Sequence, residues 1–348
     1  MLLLVKLSPL ILSAPPKKMS HGKKPDGKID FAVGGQAIME GVMMRSPHFY
    51  TMAVRRANKE IVSDVRLYIS LVKRSKFWAL PLMRGIATLY ESLKLGISAL
   101  MFSNNIMMED IDAEEAKKKG KKKAKKKKEE DKSTWMKVLG TLGMALYFVV
   151  MMGVALFLFK FLPLFVADKA SHVAPLVESH YWIYNLVDGV VKVAIFVGYV
   201  SAISLMPDIR RVFAYHGAEH QAIWAYEKGK KLTIKNAQAE NPEHPRCGTS
   251  FIVLVLIVSV LLYTVMPPFE SFWEKLGSRI AILPLIAGLS YEVLRISAKH
   301  EDKWWMGWVT RPGLWIQKIT TRKPDDEMEE VAIVALNAAL KAEKEFKG

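Results

Sequence analysis

Four stretches of this sequence stay apolar for about the twenty residues a helix needs to cross roughly 30 Å of hydrocarbon. They are Val138–Phe159, Leu186–Met206, Thr249–Met266 and Arg279–Ile296. Lipid offers no partner for backbone N–H and C=O groups, so such runs must be helical. The expected fold class is therefore an α-helical polytopic membrane protein with about four transmembrane helices. Buried core helices of a large soluble protein would read similarly. The flanking aromatics decide against that: Trp135 precedes the first run, and Trp182 and Tyr184 precede the second, as interfacial side chains do. With 51% hydrophobic residues over 348 positions, the chain is too apolar to be disordered.

Lysine and arginine set the orientation, because they accumulate in cytoplasmic loops. The segment between the second and third runs carries Arg210, Arg211, Lys228, Lys230, Lys231, Lys235 and Arg246, whereas Lys169 and Lys275 follow the first and third runs. Both termini and the middle loop are thus expected in the cytoplasm. The single cysteine, Cys247, falls on that reducing side and has no intramolecular disulfide partner.

Residues 1–30 read as a disordered N-terminal extension, since Lys6 interrupts its apolar start and no small-residue cleavage site follows. Residues 31–76 read as a small α+β cytoplasmic unit. In it, Tyr50–Arg56 and Glu60–Arg66 flank Ala57-Asn58 as a hairpin, and the glycines of FAVGGQAIMEGVMMRSP mark turns or close backbone approach. Residues 77–110 are apolar but hold Arg84, Glu91 and Lys94, which favours an interfacial or buried amphipathic helix over another crossing.

Residues 111–134 form a lysine-rich, self-repelling linker containing KKKGKKKAKKKK at Lys117–Lys128. Beside a crossing this run suits anionic lipids or other polyanions through nonspecific electrostatics, or serves only as a topology determinant. It lacks interleaved aromatics, and no nucleic-acid-binding fold is legible, so no sequence-specific nucleic acid partner is expected. The first two crossings occupy 135–206, a cytoplasmic loop 207–248, the last two crossings 249–297, and a cytoplasmic tail with a terminal helix 298–348.

The loop opens with His216-Gly217-Ala218-Glu219-His220. Positions i, i+3 and i+4 share a helix face. The H-x-x-E-H pattern suits two imidazoles on a divalent metal, zinc above all, with the carboxylate as general base. Five residues alone do not distinguish this from two histidines at an interface. Topology adds weight. HPRCGTSF delivers His244 and Cys247 to the start of the third crossing, and Glu292 lies near the same-side end of the fourth. A catalytic zinc takes three protein ligands, the third here being Glu292 or Cys247. Arg246 or Arg295 would steady a developing oxyanion, with Glu40 of the glycine-rich block as further support. Simple structural roles stand beside these: Glu292 paired with Arg295, Cys247 as a small buried thiol, and Asp188 with Lys192 as a helix ion pair.

The blocks VGGQAIMEGVMMRSP, RGIATLYESLKLGISAL, YHGAEHQAIWAYE, HPRCGTSF, AILPLIAGLSYEVLRIS and GLWIQKITTRKPDDEMEEVAIVAL resemble those of the YqhQ-like bacterial membrane proteins over residues 31 to 340. The resemblance implies a bacterial cytoplasmic (inner) membrane location and a predicted metal-dependent enzyme. The family's histidine pair and intervening acid fall on His216, His220 and Glu219, its H-x-R-C-G-T-S-F block on His244 to Phe251, and its last-span acid on Glu292. Two functions follow as expectations. One is a zinc-dependent hydrolase, peptidase- or amidase-like, acting at the cytoplasmic membrane edge on a membrane-associated protein or peptide. The other is a non-enzymatic membrane scaffold or translocation or insertion accessory factor. A third idea makes Cys247 a nucleophile activated by a neighbouring histidine.

Overall fold

The computed structural model describes residues 33–118, 146, 149–266, 269–299 and 306–346. The extension 1–30 and the lysine run beyond Lys118 lie outside these. Two compact units result: Met1–Ile111 with Val200–Leu254 and Ala287–Gly348, and Asp112–Tyr199 with Val255–Ile286. The strands are β1 (Gly34–Ile38), β2 (Gly41–Arg45), β3 (Phe49–Arg55) and β4 (Ile61–Leu67). The longer helices are α1 (Met83–Lys118), α2 (Val149–Val173), α3 (Tyr181–Ile203), α4 (Pro207–Glu227), α5 (Gly248–Val265), α6 (Phe272–Ala281), α7 (Leu283–Lys299), α8 (Met306–Thr320) and α9 (Asp326–Glu345).

In the first unit the strands form an antiparallel meander in the order β1-β2-β3-β4, with Gln36 opposite Met43, Met43 opposite Met52, and Thr51 opposite Val65. Successive side chains on a strand point to opposite faces, and here both faces are covered. Ile38, Met52 and Val54 pack with Leu95, Ala99 and Ile106 of α1. Val42, Met44 and Ala53 pack with Ala214, Ala218 and Ala222 of α4 and with Val331, Ala335 and Ala339 of α9. The alanines allow both helices close against the sheet.

Residues 326–345, expected as part of a tail, therefore complete the core that residues 34–67 begin. Burial on both faces also removes the apolar–polar alternation that marks a half-buried strand. That is why β2 read only as glycine punctuation, as did the short, glycine-led and largely uncovered β1, while β3 and β4 were legible from the turn between them.

In the second unit the outward side chains are large and apolar, among them Val149, Met152, Val190 and Leu261. Three helices, α2, α3 and α5, are long and apolar enough to cross a membrane. The bent pair α6–α7, which turns by 46°, makes a fourth if it is one broken span. The expected first crossing, Val138–Phe159, needs correction: the apolar helix runs on to Val173. Lys160 lies just beyond the expected end. Its ammonium donates to the Tyr263 hydroxyl at 3.0 Å, so the charge is accommodated and the helix continues through a π-turn at Phe157–Phe161.

Candidate metal centre

α4 starts with Pro207 in its first turn and Asp208 beside it, residues suited to a helix N-terminus. Its buried stripe turns His216, Glu219 and His220 away from the sheet-packing alanines and toward two neighbouring segments. One is 320–324, just after α8. A Cβ at Gly217 would lie 2.1 Å from the Arg322 carbonyl oxygen, so glycine is what lets this segment cross so closely. The same crossing brings the Thr320 carbonyl to 2.9 Å from His216 Nδ1.

The other segment is 240–247, laid along α4. Gln221 donates to the Glu240 carbonyl at 2.6 Å and Trp224 to the Glu243 carbonyl at 2.9 Å, while His220 Nδ1 meets the Pro242 carbonyl at 2.6 Å.

A carbonyl oxygen only accepts, so both Nδ1 atoms carry the proton and both Nε2 atoms present a lone pair. His216 Nε2 lies 3.2 Å from Cys247 Sγ, and His220 is also within reach of that thiol. One ligand atom from each of His216, His220 and Cys247 lies within 4.8 Å of the others. Tetrahedral zinc at ordinary bond lengths sets such atoms about 3.4–3.6 Å apart. Anchoring Nδ1 on a backbone oxygen while Nε2 faces inward is how ligating histidines are usually held. The Thr249 N–H at the start of α5 also points at Sγ, at 3.4 Å.

Glu219 stands beside this trio and is only 3% exposed. Its Oε2 is 3.8 Å from His220 Nε2. Burial raises its pKa, against the pull of His216 and His244 and a hydrogen bond from the Gly35 N–H. A Cβ at Gly35 would sit 2.7 Å from both Cγ and Oε1 of Glu219. The glycine-rich N-terminal block thus delivers bare backbone to the carboxylate. Burial also lowers the pKa of His220, keeping its imidazole neutral.

The other expected residues are placed as follows. Glu292 stands apart from the cluster, because its carboxylate is held by Arg84, with Arg84 Nε to Oε1 at 2.6 Å. The partner is therefore Arg84 of α1 and not Arg295, which lies one turn further along α7. Glu40, at φ 54° in the β1–β2 turn, is held by both Arg211 nitrogens at 2.6 Å and supports the hairpin. His244 packs on Trp224 with ring centroids 4.4 Å apart and lies 5.7 Å from the His220 ring. Its Nδ1 accepts from the Arg246 N–H, and its Nε2 meets Glu227 at 3.2 Å. Arg246 pairs with Glu227. Burial alone would raise the Glu227 pKa, but His244 and Arg246 outweigh it and the net shift is downward.

Sequence reading missed Gln317, which holds the His244 backbone at both N (2.8 Å) and O (2.9 Å). A glutamine among the tryptophans of α8 was the available signal.

Residues 80–342 match the model of a family described as protein of unknown function (DUF1385). The chain is also 32% identical over 321 residues to the uncharacterized protein YqhQ of Bacillus subtilis (strain 168), covering 91% of this chain and 94% of that one. No solved structure matches it.

Proposed function

The chain belongs to the DUF1385 family, and on that footing we propose that it is an integral membrane, zinc-dependent hydrolase of the peptidase or amidase type. The observation that carries the proposal is the convergence of His216 Nε2, His220 Nε2 and Cys247 Sγ, with both imidazoles fixed through Nδ1. Two nitrogens and one thiol suit zinc, and three protein ligands are the number kept by catalytic sites.

When bound, such an ion supplies Lewis acidity toward a carbonyl and toward water. The residues of the chain do the rest. Glu219 takes and returns a proton at Oε2, the carboxylate oxygen beside His220. Gly35 fixes that carboxylate through its N–H, and the Thr320 and Pro242 carbonyls hold the imidazole tautomers. The helices α2, α3 and α5, and the bent pair α6–α7 taken as one span, are long and apolar enough to cross a bilayer, and the lysines and arginines of the 207–248 loop support a centre on the cytoplasmic side. A substrate carried at the membrane surface, a peptide or a lipid-linked amide, fits that position.

The second reading is a scaffold or insertion factor with a closed structural metal, which needs a fourth ligand. His244 is the nearest candidate, but both its ring nitrogens are already engaged, by Arg246 N–H and by Glu227, and this favours the open site.

The test is metal content of the purified chain together with genetic rescue. About one zinc per chain is expected, as for any three-ligand site. His216→Ala and His220→Ala should each lose it, while His244→Ala and Glu219→Gln keep it. Glu219→Gln should nevertheless fail to rescue a strain lacking the protein. Undiminished zinc in both histidine variants would remove the centre, and full rescue by Glu219→Gln would leave only the scaffold.

A further inference from the structure

The second unit holds charges that a helix pair alone does not explain. Asp188 and Lys192 of α3 do pair, but Arg279 of α6 joins them, with a guanidinium nitrogen 2.7 Å from the other Asp188 oxygen. Lys160 of α2 reaches the Tyr263 hydroxyl. All three cations surround one aromatic ring: Lys192 Nζ lies 4.6 Å from the Tyr263 centroid, the Arg279 guanidinium carbon 4.7 Å and Lys160 Nζ 5.6 Å. Asp188, Lys192, Arg279 and Tyr263 are all buried, Asp188 completely. Around Tyr263 three cations thus face one carboxylate, Asp188, while at the Tyr184 ring a fourth cation, Lys275, is paired with Asp168, inside a unit whose outer surface is apolar.

Donors are in surplus as well. An ammonium has three N–H groups, yet among the described residues Lys192 finds one oxygen, on Asp188, and Lys160 one, on Tyr263. The Tyr184 hydroxyl, whose ring lies 5.9 Å from the Arg279 guanidinium carbon, is buried without a hydrogen-bond partner among those residues. Buried charge persists in an apolar setting only when paired and hydrogen-bonded. Such a place asks for acceptors bearing negative charge. It also lies where the helices are irregular, at the π-turn of α2 and next to the break after α6, as binding sites within membranes commonly do.

We propose that Lys160, Lys192, Arg279 and Tyr184 form a binding site for a phosphate-class oxyanion, free or as the headgroup of a lipid.

The experiment uses the full chain, purified in detergent and stripped of lipid. One arm measures equilibrium binding of inorganic phosphate at constant ionic strength. The other reconstitutes the protein into phosphatidylcholine nanodiscs with and without phosphatidate and reads retained lipid by native mass spectrometry. One site per chain is expected in at least one arm. Lys160→Met should weaken it at least about tenfold, as loss of a charged donor does, and Lys160→Arg should preserve it. Phosphate binding to the stripped protein identifies the free anion, and phosphatidate retention without it identifies the headgroup. Removing a surplus, half-buried cation should also raise the thermal midpoint of the anion-free protein, so a Lys160→Met chain that fails to fold counts against the surplus. Binding in neither arm, or equal binding by Lys160→Met and wild type, overturns the site. Zinc at His216 plays no part in either readout.

Discussion

Replacing Gly35 by alanine tests whether the sheet builds the centre, and Gly34→Ala is a matched control one residue away. At Gly34 a new methyl meets nothing within 4 Å. At Gly35 it would lie 2.7 Å from Glu219 Cγ, Glu219 Oε1 and the Met43 carbonyl oxygen. Either β1 lifts from β2 or the carboxylate withdraws. Overpacking of this kind costs roughly 1–3 kcal/mol. Loss of the Gly35 N–H from a buried carboxylate adds a further 1–3 kcal/mol or so. Against a usual total stability of about 5–15 kcal/mol, Gly35→Ala should be severe and Gly34→Ala nearly silent. The assay is thermal unfolding of the zinc-loaded protein in detergent, followed by tryptophan fluorescence. The double variant Gly35→Ala/Glu219→Ala makes room for the methyl and should fall short of additivity by at least about 0.5 kcal/mol, as contacting residues do. Equal midpoints for the two glycine variants, or strict additivity in the double variant, would refute the reasoning.

Three other outcomes are expected. Glu329 is wholly buried in α9, and among the described residues neither of its oxygens has a hydrogen-bond partner; burial, then Asp326, pushes its pKa up to about 8. A raised acid destabilises the fold only where the unfolded chain is ionised, so the penalty is absent below about pH 4.5, grows with pH and levels off above 8, reaching roughly 3 kcal/mol at pH 7. Glu329→Gln should flatten that decline, and an unchanged midpoint-versus-pH curve would count against it. Glu292→Gln should loosen α1 from α7, lowering the midpoint, yet leave zinc stoichiometry intact because Glu292 serves Arg84; zinc loss would return Glu292 to the ligand set. Deleting Lys117–Lys128 should weaken binding to anionic vesicles at low salt, an effect that fades once the screening length falls to about 10 Å near 0.1 M salt. Cosedimentation equal to wild type at low salt would dismiss the run as a lipid contact.

What the sequence disclosed followed periodicity and short range. The i, i+3, i+4 spacing set His216, Glu219 and His220 on one face of α4, and Ala57-Asn58 marked the turn between β3 and β4. What it concealed depended on distant partners. Arg84 reaches Glu292 from 208 positions away, so the nearer Arg295 looked the natural mate. Nothing local announced that Glu219 would be covered by Gly35, whose short glycine-led strand β1 carries no apolar alternation. The first crossing was drawn short of Lys160, and nothing local announced that Tyr263 would receive that ammonium.

The pairing of β2 and β3 with α9 also bears on how the chain is made. Roughly 260 residues separate β4 from α9, which at about 5–20 residues per second leaves the sheet without that cover for some tens of seconds of synthesis. During that interval Val42, Met44 and Ala53 are a naked apolar surface on a ribosome-bound chain. α4 arrives partway and closes half the gap. A nascent chain halted before Asp326 would therefore display a sticky, half-covered sheet, a natural target for proteases. Any variant that slows elongation across residues 230–320 should lower the yield of protein without altering a single contact of the finished fold.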